Sequence, residues 1–236
     1  KRRANPGKCP LRAGREADMI RRVMKKFEGS KFPVAGAAAM WRILIGASTS
    51  VESELRISAY APDNDHDLYW MAREYFGPFL PVTKHIHVKR VIGDLLDGKA
   101  SIGIVPMVHS SDTTNWWTSL MQQGPDAPKI FAHIPFVEYG LSGRNPPRAL
   151  AIAAVQPEPT EDDTTIAVLE ADQNVSQHRL QSAFTSAQLD MHWISAASLS
   201  PSSRHHLLEI KGFITPEHEK MQAIRTSLGN SLLKLH

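Results

Sequence analysis

The chain has 236 residues, 42% of them hydrophobic, and its length accommodates one large domain or two to three small ones with an ordinary globular core. Its single cysteine, Cys9, excludes an intrachain disulfide framework and fits a reducing cytoplasm, the expected location. No run of eighteen apolar residues predicts a membrane span, and the opening KRRANPGKCP lacks the apolar stretch of a secretory signal.

The net charge of +3 is unevenly spread, because residues 1–26 carry ten Lys or Arg against only Glu16 and Asp18. Such clustering is most simply a solvated helix face. It also suits the surround of a small polyanion and, below that in rank, a footprint for nucleic acid.

Residues 1–14 read as loop, broken at Pro6-Gly7 and Pro10. A first helix is predicted from Arg15 to Glu28, since Met19, Ile20, Val23, Met24 and Phe27 form one apolar stripe and Gly29 ends it. A second runs from Pro33 to Ser53 and is apolar on most sides through Ala37, Trp41, Ile43, Leu44 and Ile45, so it must be buried against other helices. Arg15 and Glu16 open the first helix, and Ser48 and Glu52 share a face near the end of the second. A pocket with these two pairs as walls would hold a small anion that also carries a hydroxyl.

From Leu55 the pattern changes. Strands are predicted at Leu55–Ala61, Thr83–Ile86 and Ser101–Met107, with helices at Asp65–Phe76 and Val88–Leu96 between them. Two such β-α steps predict a parallel α/β layer. A helix at Thr113–Gln122 and strands at Lys129–Val137 and Arg148–Val155 follow, then a polar, proline-bearing linker from Gln156 to Asp162. The remainder reads as strand Thr165–Glu170, helix Val175–Ser186, strand Met191–Ala197, a turn at Leu199–Ser203, strand His205–Ile210, helix Pro216–Leu228 and strand Leu232–Leu235. That is βαββαβ, a ferredoxin-like order. The fold class is therefore mixed, with an all-helical segment 1–54, an α/β lobe 55–155 and a ferredoxin-like segment 164–236.

The helical segment resembles the all-helical chorismate mutases. The residues that carry the resemblance are the Arg15-Glu16 pair at the head of a helix, the Gly/Pro turn, the Trp41-Arg42 step and the Ser48…Glu52 ending, where the family more often has Gln. Arg12 stands where some members have a ring-side Asp. The resemblance implies a long helix preceding Lys1 and an intertwined homodimer. It implies a dicarboxylate substrate, chorismate, that rearranges to prephenate without metal, cofactor, acid or nucleophile. It also implies roles: Lys1 and Glu52 at the breaking ether oxygen as the catalytic pair, Glu16 on the ring hydroxyl, Ser48 on a carboxylate, and Arg15 as a neighbouring cation. Catalysis would consist of holding the compact conformer and placing donors where negative charge grows.

The middle region resembles a shortened prephenate dehydratase lobe through Tyr75-Phe76-Gly77 and Asp97-Gly98-Lys99-Ala100 leading into Gly103-Ile104-Val105-Pro106. The family's Thr-Arg-Phe signature has no counterpart; Asp162-Asp163-Thr164-Thr165 comes nearest and lacks the Arg, so no dehydratase activity is expected. The last segment resembles the ACT regulatory domain through Leu208-Glu209-Ile210-Lys211-Gly212-Phe213, with Asn174-Val-Ser-Gln and Ser195-Ala-Ala-Ser in place of the amino-acid-binding segments. Tight phenylalanine binding is accordingly not expected.

Other chemistries find less support. His85-x-His87 and His205-His206 are paired histidines in strand-like sequence, but no HExxH or CxxC accompanies them, so no metal is expected. Ser110-Ser111-Asp112 beside His109 lacks a nucleophile elbow, and no phosphate-binding glycine loop occurs. Trp116-Trp117 would stack a ligand or, more simply, anchor packing. Three functions remain in order: a chorismate mutase of aromatic amino-acid synthesis; an inactive relative that binds a small ligand or regulates a partner; and a basic-helix nucleic-acid binder with a ligand-sensing module. The partners implied by the first are a small dicarboxylate and a second copy of the chain, with no membrane.

Overall fold

In the computed structural model, which describes residues 11–112, 114–121, 124, 127–135 and 147–228, the chain begins with two helices, α1 (Ala13–Phe27) and α2 (Val34–Glu52). The apolar stripe of α1 buries Ile20 and Val23, and Gly29 follows the helix with a positive φ of 73°, which glycine adopts without strain. α2 buries only one face, formed by Ala38, Arg42, Gly46 and Thr49 at helical spacing. Its other side leaves Met40, Trp41, Ile43, Leu44 and Val51 exposed, Val51 by 88%. The expectation of a helix covered on most sides is not met among the described residues. Nor does counting apolar runs describe α2 well, since the helix has 19 residues and an 18-residue stretch of mean hydropathy 1.3, long and apolar enough to cross a membrane by length and composition. Within this unit α2 is nevertheless tied to its neighbours through a buried cation, Arg42, which is bonded to Glu16 of α1.

The α/β layer follows. Strands β1 (Ile57–Tyr60), β2 (Val82–His85) and β3 (Ile102–Pro106) are parallel and joined by helices α3 (Asp67–Phe76) and α4 (Val88–Leu96). Strands β4 (Lys129–Ile134) and β5 (Ala149–Ala153) complete a sheet of order β2-β1-β3-β5-β4. β5 runs antiparallel to β3 and β4 antiparallel to β5, so the sheet is mixed rather than wholly parallel. Strand alternation divides the two faces. Ile57, Ala59, Ile102, Ile104, Ala149 and Ala151 pack with Leu68, Met71 and Phe76 of α3. Ser58 and Gly103 face α4: Ser58 bonds Asp94, and a Cβ at Gly103 would come within 3.0 Å of Val91. β4 stops before Pro135, which has no N–H for a ladder, and the predicted continuation to Val137 lies outside the described residues.

A second unit comprises residues 108–123 and 161 onward, and the first comprises residues up to 107 together with 124–160. The helical pair, read from the sequence as a segment of its own, thus lies in the same unit as β1–β5. In the second unit, strands β6 (Thr164–Asp172), β7 (Met191–Ala197) and β8 (Ser203–Lys211) form an antiparallel sheet of order β6-β8-β7. Helices α5 (Gln177–Ser186) and α6 (Glu219–Ser227) contribute Leu180, Phe184, Met221 and Ile224 to a core shared with Leu169, Leu208 and Ile210. Ser176 caps α5 by accepting from the Arg179 N–H. The helix predicted over Thr113–Gln122 is instead a 3-10 turn, Trp116–Leu120; the polar Thr-Asn lead-in gives it no apolar stripe to extend. The final predicted strand, Leu232–Leu235, lies outside the described residues.

α2 meets α3 at Gly46, where the Phe76 carbonyl oxygen occupies the space a Cβ would need. Gly46→Ala should therefore lower the unfolding free energy by about 1–3 kcal/mol in urea denaturation. Gly93→Ala in α4, whose Cβ would meet nothing within 4 Å, should leave stability unchanged or raise it by up to about 1 kcal/mol. Equal effects of the two substitutions would show that the close approach at Gly46 does not constrain the fold.

Candidate functional site

Arg15, Asp18 and Arg22 recur at helical spacing along one stripe of α1 and line an open cleft of about 330 Å³. Arg12, Glu158 and Pro159 line it as well. The cations differ in what engages them. Arg12 donates to Glu158 at 3.4 Å, and Arg21, outside the cleft, bonds Asp18 at 2.9 Å and the Thr160 hydroxyl at 3.3 Å. Arg15 and Arg22 are exposed and form no ion pair among the described residues. Two turns of helix separate them, about 10 Å along the axis. The arrangement can hold two carboxylates of one small molecule, or one carboxylate and a second polar group.

The residues expected to join Arg15 are placed elsewhere. Glu16 lies about 100° round the helix from Arg15, and its Oε2 accepts from Arg42 Nη1 at 3.0 Å. The Arg42 guanidinium also lies 4.1 Å from the Tyr75 ring centroid, a cation–π contact that joins α1, α2 and α3. Opposing Glu16 to Arg42 sets the register of the two helices. Ser48 and Glu52 lie about 9 and 15 Å beyond Arg42 along α2, whereas α1 begins only about 4 Å beyond Glu16. Both are exposed past the start of α1, and neither lines the cleft. Lys1 lies outside the described residues, as does Cys9. Sequence reasoning gave no site role to Arg22, Arg42 or Glu158, although Arg42 entered it in the Trp41-Arg42 step. Arg22 was legible at seven residues from Arg15; the other two depend on contacts spanning 26 and 146 positions.

On the α4 face of the sheet, Ser58, Asp94 and His85 form a second polar cluster. Ser58 Oγ donates to Asp94 Oδ2 at 2.9 Å, and His85 Nε2 lies 2.7 Å from the same oxygen. Burial pushes the Asp94 carboxyl up, but hydrogen bonds from His85 and Ser58 and the charges of His85 and Lys99 hold it below the usual carboxylate range. The carboxylate stands between the other two, so His85 does not reach the hydroxyl and cannot take its proton. Ser58 is fully buried and is no nucleophile. His109 and Asp112 make a turn, in which the Asp112 carboxylate accepts from the His109 N–H at 2.8 Å. Thr165 ties β6 to the end of β8 by donating to the Gly212 carbonyl and accepting from the Ile214 N–H. Trp116 and Trp117 are buried. Among the described residues no three His, Cys, Asp or Glu converge as for a metal.

The carboxyl ends of the parallel strands, where open α/β sheets commonly bind ligands, carry exposed Asp63 and Asp65 in the loop after β1 and Asp67 at the start of α3. Exposed Lys84 at the end of β2 and Lys89 and Arg90 at the start of α4 stand at the same end, so it carries both signs of charge.

No family model and no curated protein matches the chain. Solved structures do, and they define it as a mixed α/β protein with a prephenate dehydratase-like fold. The prephenate dehydratase of Streptococcus mutans shares 14% identity at a TM-score of 0.53, over 77% of this chain and 94% of that one. The prephenate dehydratase of Staphylococcus aureus shares 13% at 0.54, over 77% and 98%. GqqA, described as a novel type of quorum quenching acylase, shares 14% at 0.56, over 78% and 93%. At these identities the likeness is one of fold.

In the second unit, His206 is buried in β8, its Nδ1 accepting from the Trp193 indole N–H at 3.2 Å while Nε2 has no partner among the described residues. Burial, with the charges of Arg204 and His205, lowers its pKa to about 4. The folded value lies below the ordinary histidine value of 6.5, so the unfolded chain takes up the proton first. Stability should be fully present above pH 6.5 and fall as pH drops towards 4, by up to about 1.4 kcal/mol per pH unit. Urea denaturation between pH 7 and 4.5 should show this slope, and His206→Phe should flatten it. A wild-type profile with no loss in this window would contradict the neutral, buried state.

Proposed function

We propose that the protein is a cytoplasmic chorismate mutase of aromatic amino-acid synthesis, carrying a dehydratase-like lobe that does not dehydrate prephenate and an ACT-like segment at 164–236. The observation that supports this reading most is the Arg15/Arg22 pair, two cations with no carboxylate partner among the described residues on one cleft sized for a small dicarboxylate. A pericyclic rearrangement needs little more than such a grip and a donor at the ether oxygen, a role this reading gives to Glu52 although Glu52 does not line the cleft. The βαββα order and the one-faced helices of the second unit support the ACT-like assignment. The missing Thr-Arg-Phe signature supports the absence of dehydratase chemistry.

A second reading has an observation of its own. Glu16 is committed to Arg42, and Ser48 and Glu52 stand away from the cleft, as in a relative that binds a dicarboxylate without rearranging it. Loss of chorismate absorbance on adding the protein separates the two. The mutase reading expects turnover, a reduction of about 10²-fold in Glu52→Ala, and a flatter pH profile of kcat/KM in Glu52→Gln, which donates at every pH. Prephenate should accumulate without phenylpyruvate. If prephenate binds while chorismate remains unchanged, the second reading holds.

The uncovered face of α2, with Met40 58% and Leu44 54% exposed, supports assembly as a homodimer, because a contiguous apolar face of this kind marks an interface. Trp41, Leu44, Ser48 and Val51 follow the 3-4 spacing of a helix-packing seam. Light scattering should give twice the chain mass, and Leu44→Glu should shift it towards the monomer. A monomeric wild type at all concentrations would overturn this.

A further inference from the structure

The cleft is walled by the chain's own linker, and that wall carries a carboxylate. Residues 156–160, Gln-Pro-Glu-Pro-Thr, leave β5 and run to the boundary with the second unit. Pro157 and Pro159 bracket Glu158 and fix φ on either side of it, so the segment is stiff rather than free to wander. It lies hard against the first turn of α1: a Cβ on Gly14 would come within 3.0 Å of the Thr160 methyl and 3.3 Å of the Glu158 carbonyl oxygen. Arg21 holds Thr160 by its hydroxyl. From this strap the Glu158 carboxylate reaches Arg12 at 3.4 Å, and both side chains remain more than half exposed.

We propose that Glu158 is a resident internal anion that a carboxylate ligand must displace from Arg12 to occupy the cleft, so that the strap sets the affinity of the site. This rests on the reading of the cleft as a dicarboxylate site. A ligand with two carboxylates exchanges one for Glu158 at Arg12 and places the other at Arg15 and Arg22. A neutral analogue has nothing to offer in the exchange. Because the pair is exposed, what it withholds from the ligand is modest, and its removal tightens binding about two- to fivefold.

The test is calorimetric titration of the full chain with prephenate, for wild type, Glu158→Gln, Glu161→Gln and Arg15→Gln, each checked for unchanged melting. Glu161 is an exposed carboxylate three positions along that does not line the cleft, so its variant reports the general effect of removing a negative charge. The expected result is a two- to fivefold tighter Kd in Glu158→Gln, no change in Glu161→Gln, and weaker binding in Arg15→Gln. If Glu158→Gln binds no tighter, or Glu161→Gln tightens binding as much, while Arg15→Gln still weakens it, Glu158 is no competitor although the cleft stands. If wild type binds no prephenate, or Arg15→Gln binds it equally well, the cleft is not the dicarboxylate site and the role of Glu158 falls with it.

Discussion

The first unit turns on one buried cation. Arg42 points from α2 into the junction of three helices, 7% exposed at its side chain, where Glu16 balances its charge and Tyr75 offers the face of its ring. A guanidinium in such a place is costly unless a carboxylate and an aromatic face meet it with good geometry, and removing either partner leaves a charge uncompensated. The same constraint explains Gly46, one turn further along α2, which brings the helix backbone against Phe76 close enough for the guanidinium to reach the neighbouring ring. Glu16 is thereby taken up in holding the helices together, and the face of α1 that it does not use is the one that presents Arg15 and Arg22 to the cleft.

The α/β layer shows the opposite use of polar groups. Ser58, Asp94 and His85 satisfy one another across β1, α4 and the end of β2, and with the carboxylate in the middle they fix α4 to the sheet instead of activating a hydroxyl. Similarity of fold to enzymes that act on prephenate, and to an acylase, carries no chemistry with it. Chemistry belongs to the groups at the site.

The order of helices and strands was largely legible in the sequence, because the apolar stripe of α1 and the short apolar strands such as Ile102–Pro106 repeat at the periods those elements require. The direction of β4 and β5 was not, since apolar runs such as Ala149–Ala153 read alike in parallel and antiparallel pairing. Of the site, Arg15 was legible as a cation on an exposed helix face. Adjacent letters misled at Glu16: neighbours in a helix diverge by about 100°, so the pair that reads together in the sequence faces two different environments. Ser48 and Glu52 do share a face of α2, but which wall that face opposes depends on the register set by Arg42, 26 positions from Glu16. Glu158 entered the reading only as part of a polar linker, since its meeting with Arg12 depends on how the whole intervening sheet closes.

The division of the chain bears on how it can be cut. It crosses between the two units at residues 107–108, 123–124 and 160–161, so the later unit is not a tail that begins at the linker. A gene fragment starting at residue 161 would omit Trp116 and Trp117, which are buried to within 4% and 1% of full coverage. One ending at residue 160 would retain that indole pair without the unit to which it belongs. Neither half can be lifted out or exchanged as a cassette by a single cut, and a functional truncation would need to treat residues 108–123 as an excursion to be bridged.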